Sequence, residues 1–255
     1  MKIAPTFVLL SLPLVLLACA TPGQVGVRTP QSRGDYPPAI ESTAAQQQAA
    51  EAAWRALLTE YQLPETKFDA EPGLNTPRAL PLALAGRIKL SKGDGPPVQL
   101  DELAAKEALR QFIEKYAVLL SGGRSETAVS LKDLSLTTFS NEGSMYRAIY
   151  QQRSFAYPLA NGFGELALVI SKTGYLLQWD SRLLPKLELP ARPTVVAKDL
   201  PEKFVGRTFT YTNIAAQPLS YKVAQSDEVK VKELVVYPKQ TANRLTLHLA
   251  YPVEV

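Results

Sequence analysis

The chain has 255 residues, a formal net charge of +4, one cysteine and one histidine. A lone cysteine excludes an internal disulfide, and a lone histidine excludes a zinc site built on paired histidines. The small positive charge is scattered with no Lys/Arg cluster, so nothing in it tracks a nucleic-acid backbone.

The N-terminus carries the most specific signal. Met1-Lys2 is followed by a short apolar run that ends in Leu16-Leu17-Ala18-Cys19. A cationic start, an apolar stretch and a small residue at the cut mark a secretory signal, expected to be removed between Ala18 and Cys19. The cysteine just after the cut resembles the lipobox of bacterial lipoproteins, in which the thiol is lipidated. This implies a palmitate-type anchor on Cys19 and attachment to a membrane. Each buried CH₂ of such a chain contributes about 0.8 kcal/mol, so two or more chains hold stably. The run before Cys19 is too short to span a bilayer, which needs about 20 apolar residues. Ala20, rather than aspartate, follows the cysteine. In enterobacteria-like lipoproteins that pattern accompanies sorting to the outer membrane, with the protein facing the periplasm or the cell surface.

Residues 1–18 therefore read as a signal peptide and 19–41 as a flexible tether rich in Pro, Gly and Thr. At about 3.3 Å per residue the tether reaches roughly 70 Å when extended. About 235 residues remain after the signal, enough for one large or two small cores held by burial alone. Ser42 or Thr43 caps a helix through about Gln62, with Trp54, Leu57, Leu58 and Tyr61 on one stripe. The segment 63–81 is irregular, so 42–81 reads as a helix and lead-in. A strand is expected over 82–90.

Asp101 caps the clearest helix, with Leu109, Phe112, Ile113, Tyr116, Leu119 and Leu120 on one face and Gly122-Gly123 as its stop. Strands follow within 129–139, 145–155, 165–171 and 175–180, joined by short Gly-containing turns that favour antiparallel pairing. A helix followed by a strand meander predicts an α+β fold, with helices packed on antiparallel sheets. Beyond the Pro-rich 184–193 segment, Asp199 starts a short helix carrying Leu200 and Phe204. Strands are expected over 229–237 and 244–255. The last alternates cleanly, and Pro252 marks it as an edge.

Chemistry is sparse. His248 lies on the polar side of the last strand beside Arg244 and Thr246. Gly162-Phe163-Gly164 reads as a turn, and Asp101-Glu102 and Asp227-Glu228 as a cap and a loop, because consecutive carboxylates diverge. Trp179, Tyr146 and Tyr150 read as core. No catalytic or metal-ligating set emerges and no cofactor is expected, so the reading is a binding protein rather than an enzyme.

Several segments resemble the propeptide of thermolysin-like zinc metallopeptidases, which joins a fungalysin/thermolysin-propeptide module to a PepSY module. Leu103-Ala104-Ala105-Lys106-Glu107-Ala108-Leu109-Arg110-Gln111-Phe112 is similar to its opening helix. Tyr146-Arg147-Ala148-Ile149-Tyr150-Gln151-Gln152, Ala156-Tyr157-Pro158-Leu159 and the 166–175 strand and Gly turn resemble its meander. Pro193-Thr194-Val195-Val196-Ala197-Lys198-Asp199, Glu233-Leu234-Val235-Val236-Tyr237-Pro238 and Leu249-Ala250-Tyr251-Pro252-Val253 resemble the PepSY helix start and two closing strands. The resemblance implies two PepSY-like units, an FTP-like one over 82–184 and a PepSY-like one over 185–255. It also implies a propeptide-like protein that binds, inhibits or chaperones a zinc metallopeptidase. Tyr251, Pro252, Val253, Glu254 and Val255, at the family's domain junction, are then the expected partner-binding residues. The alternative is a non-catalytic scaffold lipoprotein that holds another envelope or secreted protein.

Overall fold

The computed structural model describes residues 36–91, 99–187, 189, 193–241 and 244–255. The signal peptide, Ala18, Cys19 and most of the expected tether lie outside the described residues.

The fold is α+β, with every named strand pair antiparallel. Its first layer is helical. Helix α1 (Ala44–Glu60) starts at a capping box: Thr43 Oγ1 accepts from the Gln46 amide, and Gln46 Oε1 accepts from the Thr43 amide. Trp54, Leu57 and Leu58 form its buried stripe. Helix α2 (Glu102–Lys115) is capped by Asp101, whose Oδ1 accepts from the Ala104 amide at 2.7 Å. The expected single helix to Leu120 breaks at Tyr116 (φ −105°, ψ 22°) and resumes as α3 (Ala117–Leu120).

These helices cover one face of a five-stranded sheet. Its strands are β2 (Ile88–Lys89), β3 (Leu134–Glu142), β4 (Met145–Gln152), β5 (Glu165–Ser171) and β6 (Tyr175–Ser181). Their order is β2-β6-β5-β4-β3. Strand alternation sends Tyr146, Ala148, Tyr150, Leu166, Leu168 and Ile170 into the helical layer, where Trp179 is fully buried. Trp179 packs edge-on against Trp54 and against Phe112, and its Nε1 donates to Pro77 O at 3.2 Å. The strand expected over 82–90 shrinks to β2. Leu82–Leu84 form a 3₁₀ turn with Leu82 exposed, and Gly86 turns the chain at φ 75°.

A second, three-stranded sheet has the order β1-β11-β10: β1 (Ala39–Glu41), β11 (Arg244–Ala250) and β10 (Val235–Thr241). Two expectations are corrected here. The tether cannot run to residue 41, because Ala39, Ile40 and Glu41 pair with Thr246, Leu245 and Arg244. The strand expected over 244–255 ends at Ala250 and is the central strand of its sheet, so Pro252 lies beyond it and marks no edge. The proline within this sheet is Pro238, on the edge strand β10. Ile40, Val236, Leu245 and Leu247 bury against Leu74, Phe163 and Leu184, with Phe155, Tyr157 and Leu159 around them. The loop between β4 and β5 therefore fills this core. Helix α4 (Leu200–Phe204) buries no residue, and Asp199 makes no side-chain cap. Residues 37–255 fall in one compact unit, which contains both the 82–184 and the 185–255 segments.

A pH dependence follows from one junction. Asp133 accepts from the Ser130 amide and hydroxyl and from Lys186 Nζ at 3.0 Å, pinning the chain after β6 to the start of β3. Burial raises its pKa, but Lys186 and Ser130 outweigh that and hold the carboxyl below its ordinary 3.8. A carboxylate depressed in the folded state contributes stability above its unfolded pKa, and this is lost as pH falls through the folded value. Asp133→Asn should lower stability at pH 7 and flatten the loss below about pH 4. Urea unfolding of both proteins across that range checks this; equal acid slopes would remove Asp133 from the account.

Candidate functional site

Between β6 and β10 the chain builds a small module with very little interior. Among the described residues of 193–232, only Val223 and Val229 are buried. It contains α4, the hairpin β7 (Thr208–Thr212) and β8 (Pro218–Lys222), a 3₁₀ turn at Ser226–Glu228, and β9 (Lys230–Val231). β7 and β8 form a sheet of two strands. Such a hairpin is marginal in water without something to pack on.

The hairpin's sequence alternates, and the alternation defines its faces. Phe209 pairs with Tyr221 and Tyr211 with Leu219, so these four side chains share one face. Thr208, Thr210, Thr212, Ser220 and Lys222 share the other. Tyr211 is 52% exposed, Leu219 40% and Tyr221 37%, and Ile214 at the tip is fully exposed. Val195, Val196 and Val205 are exposed in the same module. On the hairpin the exposed Tyr211, Leu219 and Tyr221 are neighbours on one face, and exposed apolar surface of this kind marks interaction sites.

The base of the hairpin is well fixed. Phe204 of α4 stacks on Phe209 with ring centroids 5.9 Å apart, and the Arg207 guanidinium lies over Phe204. The Tyr221 hydroxyl donates to Glu228 Oε2 at 2.6 Å, and the Ala224 amide donates to the same oxygen. The Tyr221 bond holds the Glu228 carboxyl below its ordinary range, and Glu228 in turn raises the Tyr221 phenol. At the tip, Asn213 Oδ1 accepts from the Gln217 amide and Asn213 Nδ2 donates to Gln217 Oε1. Ala216 sits at φ 59°, in the left-handed region that only glycine enters without cost. Ala216→Gly should therefore stabilise the hairpin by roughly 1–2 kcal/mol. Amide exchange should slow across 208–222; unchanged rates would show that the turn is not limiting.

The C-terminal residues predicted to bind a partner belong to the same module, but they are tied down. Val253 and Glu254 form β12 (Val253–Glu254), which pairs with β9 in the register Val253↔Val231 and Glu254↔Lys230. Pro252 O accepts from the Lys232 amide at 2.8 Å, and Lys232 Nζ pairs with Glu254 at 2.9 Å. Tyr251 is half-buried, and Val255 is exposed. Entry of this end into a cleft as a free tail would first break the β9–β12 pairing.

The residues read as structural are placed so. Trp179, Tyr146 and Tyr150 are core, and Tyr146 donates its hydroxyl to Leu100 O. His248 faces Tyr237 across the second sheet, with its Nε2 3.0 Å from Thr246 Oγ1. Among the described residues no group of three or more His, Cys, Asp or Glu side chains is placed to hold a metal ion. No helix among them is long and apolar enough to cross a membrane.

Sequence reasoning missed the hairpin, although its signal is present. Thr208-Phe209-Thr210-Tyr211-Thr212 and Pro218-Leu219-Ser220-Tyr221-Lys222 both alternate with period two around a five-residue turn. No family model matches this chain, no curated protein matches it, and no solved structure matches it.

Proposed function

We propose that this chain is a lipid-anchored binding protein of the bacterial cell envelope, rather than an enzyme, and that the 193–232 module docks a protein partner. The observation that carries the proposal is the apolar face of the hairpin, where Tyr211, Leu219 and Tyr221 are exposed beside the half-buried Phe209, with exposed Ile214 at its tip. Lipidation of Cys19 would hold this surface at a membrane, at the outer membrane by the Ala20 pattern. The partner indicated by the propeptide resemblance is a zinc metallopeptidase, which the protein would bind, inhibit or chaperone.

The scaffold reading, in which the partner is another envelope or secreted protein, is favoured by one observation. The C-terminal strand is paired with β9, so it is not offered as a loose inhibitory tail.

Both are tested by placing a photo-crosslinking phenylalanine analogue at Ile214 in the lipidated protein in its own cells. A metallopeptidase in the crosslinked adduct supports the first reading, and another envelope protein supports the second. No protein adduct at Ile214, with none at Tyr211 either, would end the docking proposal.

A further inference from the structure

The outer edge of β7 is open, and its chemistry specifies what closes it. The Val223 amide donates to Arg207 O and the Asn213 amide to Gln217 O, one at each end of the hairpin. Hydrogen-bonded pairs alternate along an antiparallel ladder, so Phe209/Tyr221 and Tyr211/Leu219 are the bonded pairs between them. Thr208, Thr210 and Thr212 therefore aim their N–H and C=O groups away from β8. Among the described residues no strand lies on that side. Natural edges are guarded by charge, proline or a bulge. β7 has none of these, whereas the outer edge of β8 carries Pro218, which has no N–H, and Lys222.

The sequence of β7 is symmetric about its centre: Thr-Phe-Thr-Tyr-Thr. We propose that β7 pairs antiparallel with β7 of a second copy of this chain, about a two-fold axis at Thr210. In that register Thr210 faces Thr210 of the other copy and each Thr208 faces a Thr212. All three are outward-pointing residues, so each pair exchanges both backbone bonds. Phe209 of each copy faces Tyr211 of the other in the closer, non-hydrogen-bonded spacing. Aromatic and Thr–Thr cross-strand pairs are both favourable. β7 has no charged side chain, so no like charges meet across the axis. The contact is isologous and closes as a dimer rather than a fibre.

The result is a four-stranded sheet whose apolar face is continuous across both hairpins. This deepens the proposed function, because dimerisation would double the docking face, and it rests on that reading of the module. Five residue pairs bury little surface, so the association belongs to the weak class of interfaces. Two lipid-anchored copies on one membrane would be concentrated enough to form it.

The test uses purified mature chain carrying Cys19→Ser, with no partner present, by sedimentation equilibrium from about 5 to about 500 µM. Wild type should show a concentration-dependent monomer–dimer equilibrium. Thr210→Lys and Thr210→Glu, both at an exposed position, should each weaken it roughly tenfold or more by opposing like charges. An equimolar mixture of the two should recover dimer, because Lys then faces Glu. A wild-type chain that stays monomeric overturns the proposal, as does dimerisation unchanged by either substitution or a mixture that fails to associate. Monomer that sediments with phosphatidylethanolamine/phosphatidylglycerol vesicles would also overturn it and make the hairpin a membrane-contacting element. Crosslinking from Ile214 to another protein would survive any of these failures, which separates this inference from the docking proposal.

Discussion

Gly123→Ala is expected to cost roughly 3–5 kcal/mol, a large share of the 5–15 kcal/mol that stabilises a typical domain. Gly123 sits at φ 79°, and an added Cβ would fall 2.0 Å from Gln46 O and 2.8 Å from the Ala50 amide nitrogen. Both obstacles are backbone atoms of the α1 segment, so no rotamer change relieves the overlap; the helix must move. Gly122 is constrained in the same way, with an added Cβ 1.9 Å from Leu74 O. The control is Gly143→Ala in the β3–β4 turn. Gly143 has φ 66° but nothing within 4 Å of its added Cβ, so that variant reports the left-handed backbone alone, at about 1–2 kcal/mol. Urea unfolding of the three proteins separates the two terms. Equal losses in both variants would show that Gly123 serves only as a helix stop.

As a helix stop is how sequence alone reads that glycine pair, and the reading is correct but partial. The α2 stripe, the Asp101 cap and strands β4, β5 and β6 are legible because each is decided locally, by a 3.6- or 2-residue apolar period bounded by turn residues. What was not legible depends on partners distant in sequence. β1 is three residues long with one buried side chain, Ile40, and it is a strand because β11 lies beside it. The central position of β11 follows from the same pairing, which its own alternation could not reveal. The candidate site divides similarly. The apolar face of the hairpin was written in the period of residues 208–222, whereas the capture of Val253 and Glu254 by β9 required the fold.

Arginine is among the residues least often buried, and the burial of Arg124 shows how the two cores are joined. Its Nη1 donates to Leu74 O at 2.6 Å and to Ser121 O at 3.4 Å, while Nη2 reaches Gly73 O and Glu41 O at 3.4 Å. One guanidinium thus links the end of the helical layer, the 71–75 loop and strand β1. Gly122 and Gly123 let the backbones close around it. Burial lowers its pKa, yet arginine keeps its charge, so this set of carbonyls offsets its desolvation.

Arg124→Met keeps the length and removes the donors. It should cost about 2–4 kcal/mol, because the carbonyls lose charge-assisted bonds and those that remain buried are left unsatisfied. Arg124→Lys should not rescue it, since one ammonium cannot reproduce the planar fork. The loss should be uneven. Leu74 and Ile40 belong to the second core, so native-state hydrogen exchange should rise first in residues 39–41, 235–241 and 244–250, with the five-stranded sheet still protected. A uniform rise across both sheets would mean that the cores unfold together and that Arg124 is not their joint. Full protection of β1 in the variant would mean that apolar contacts alone hold the second sheet in place.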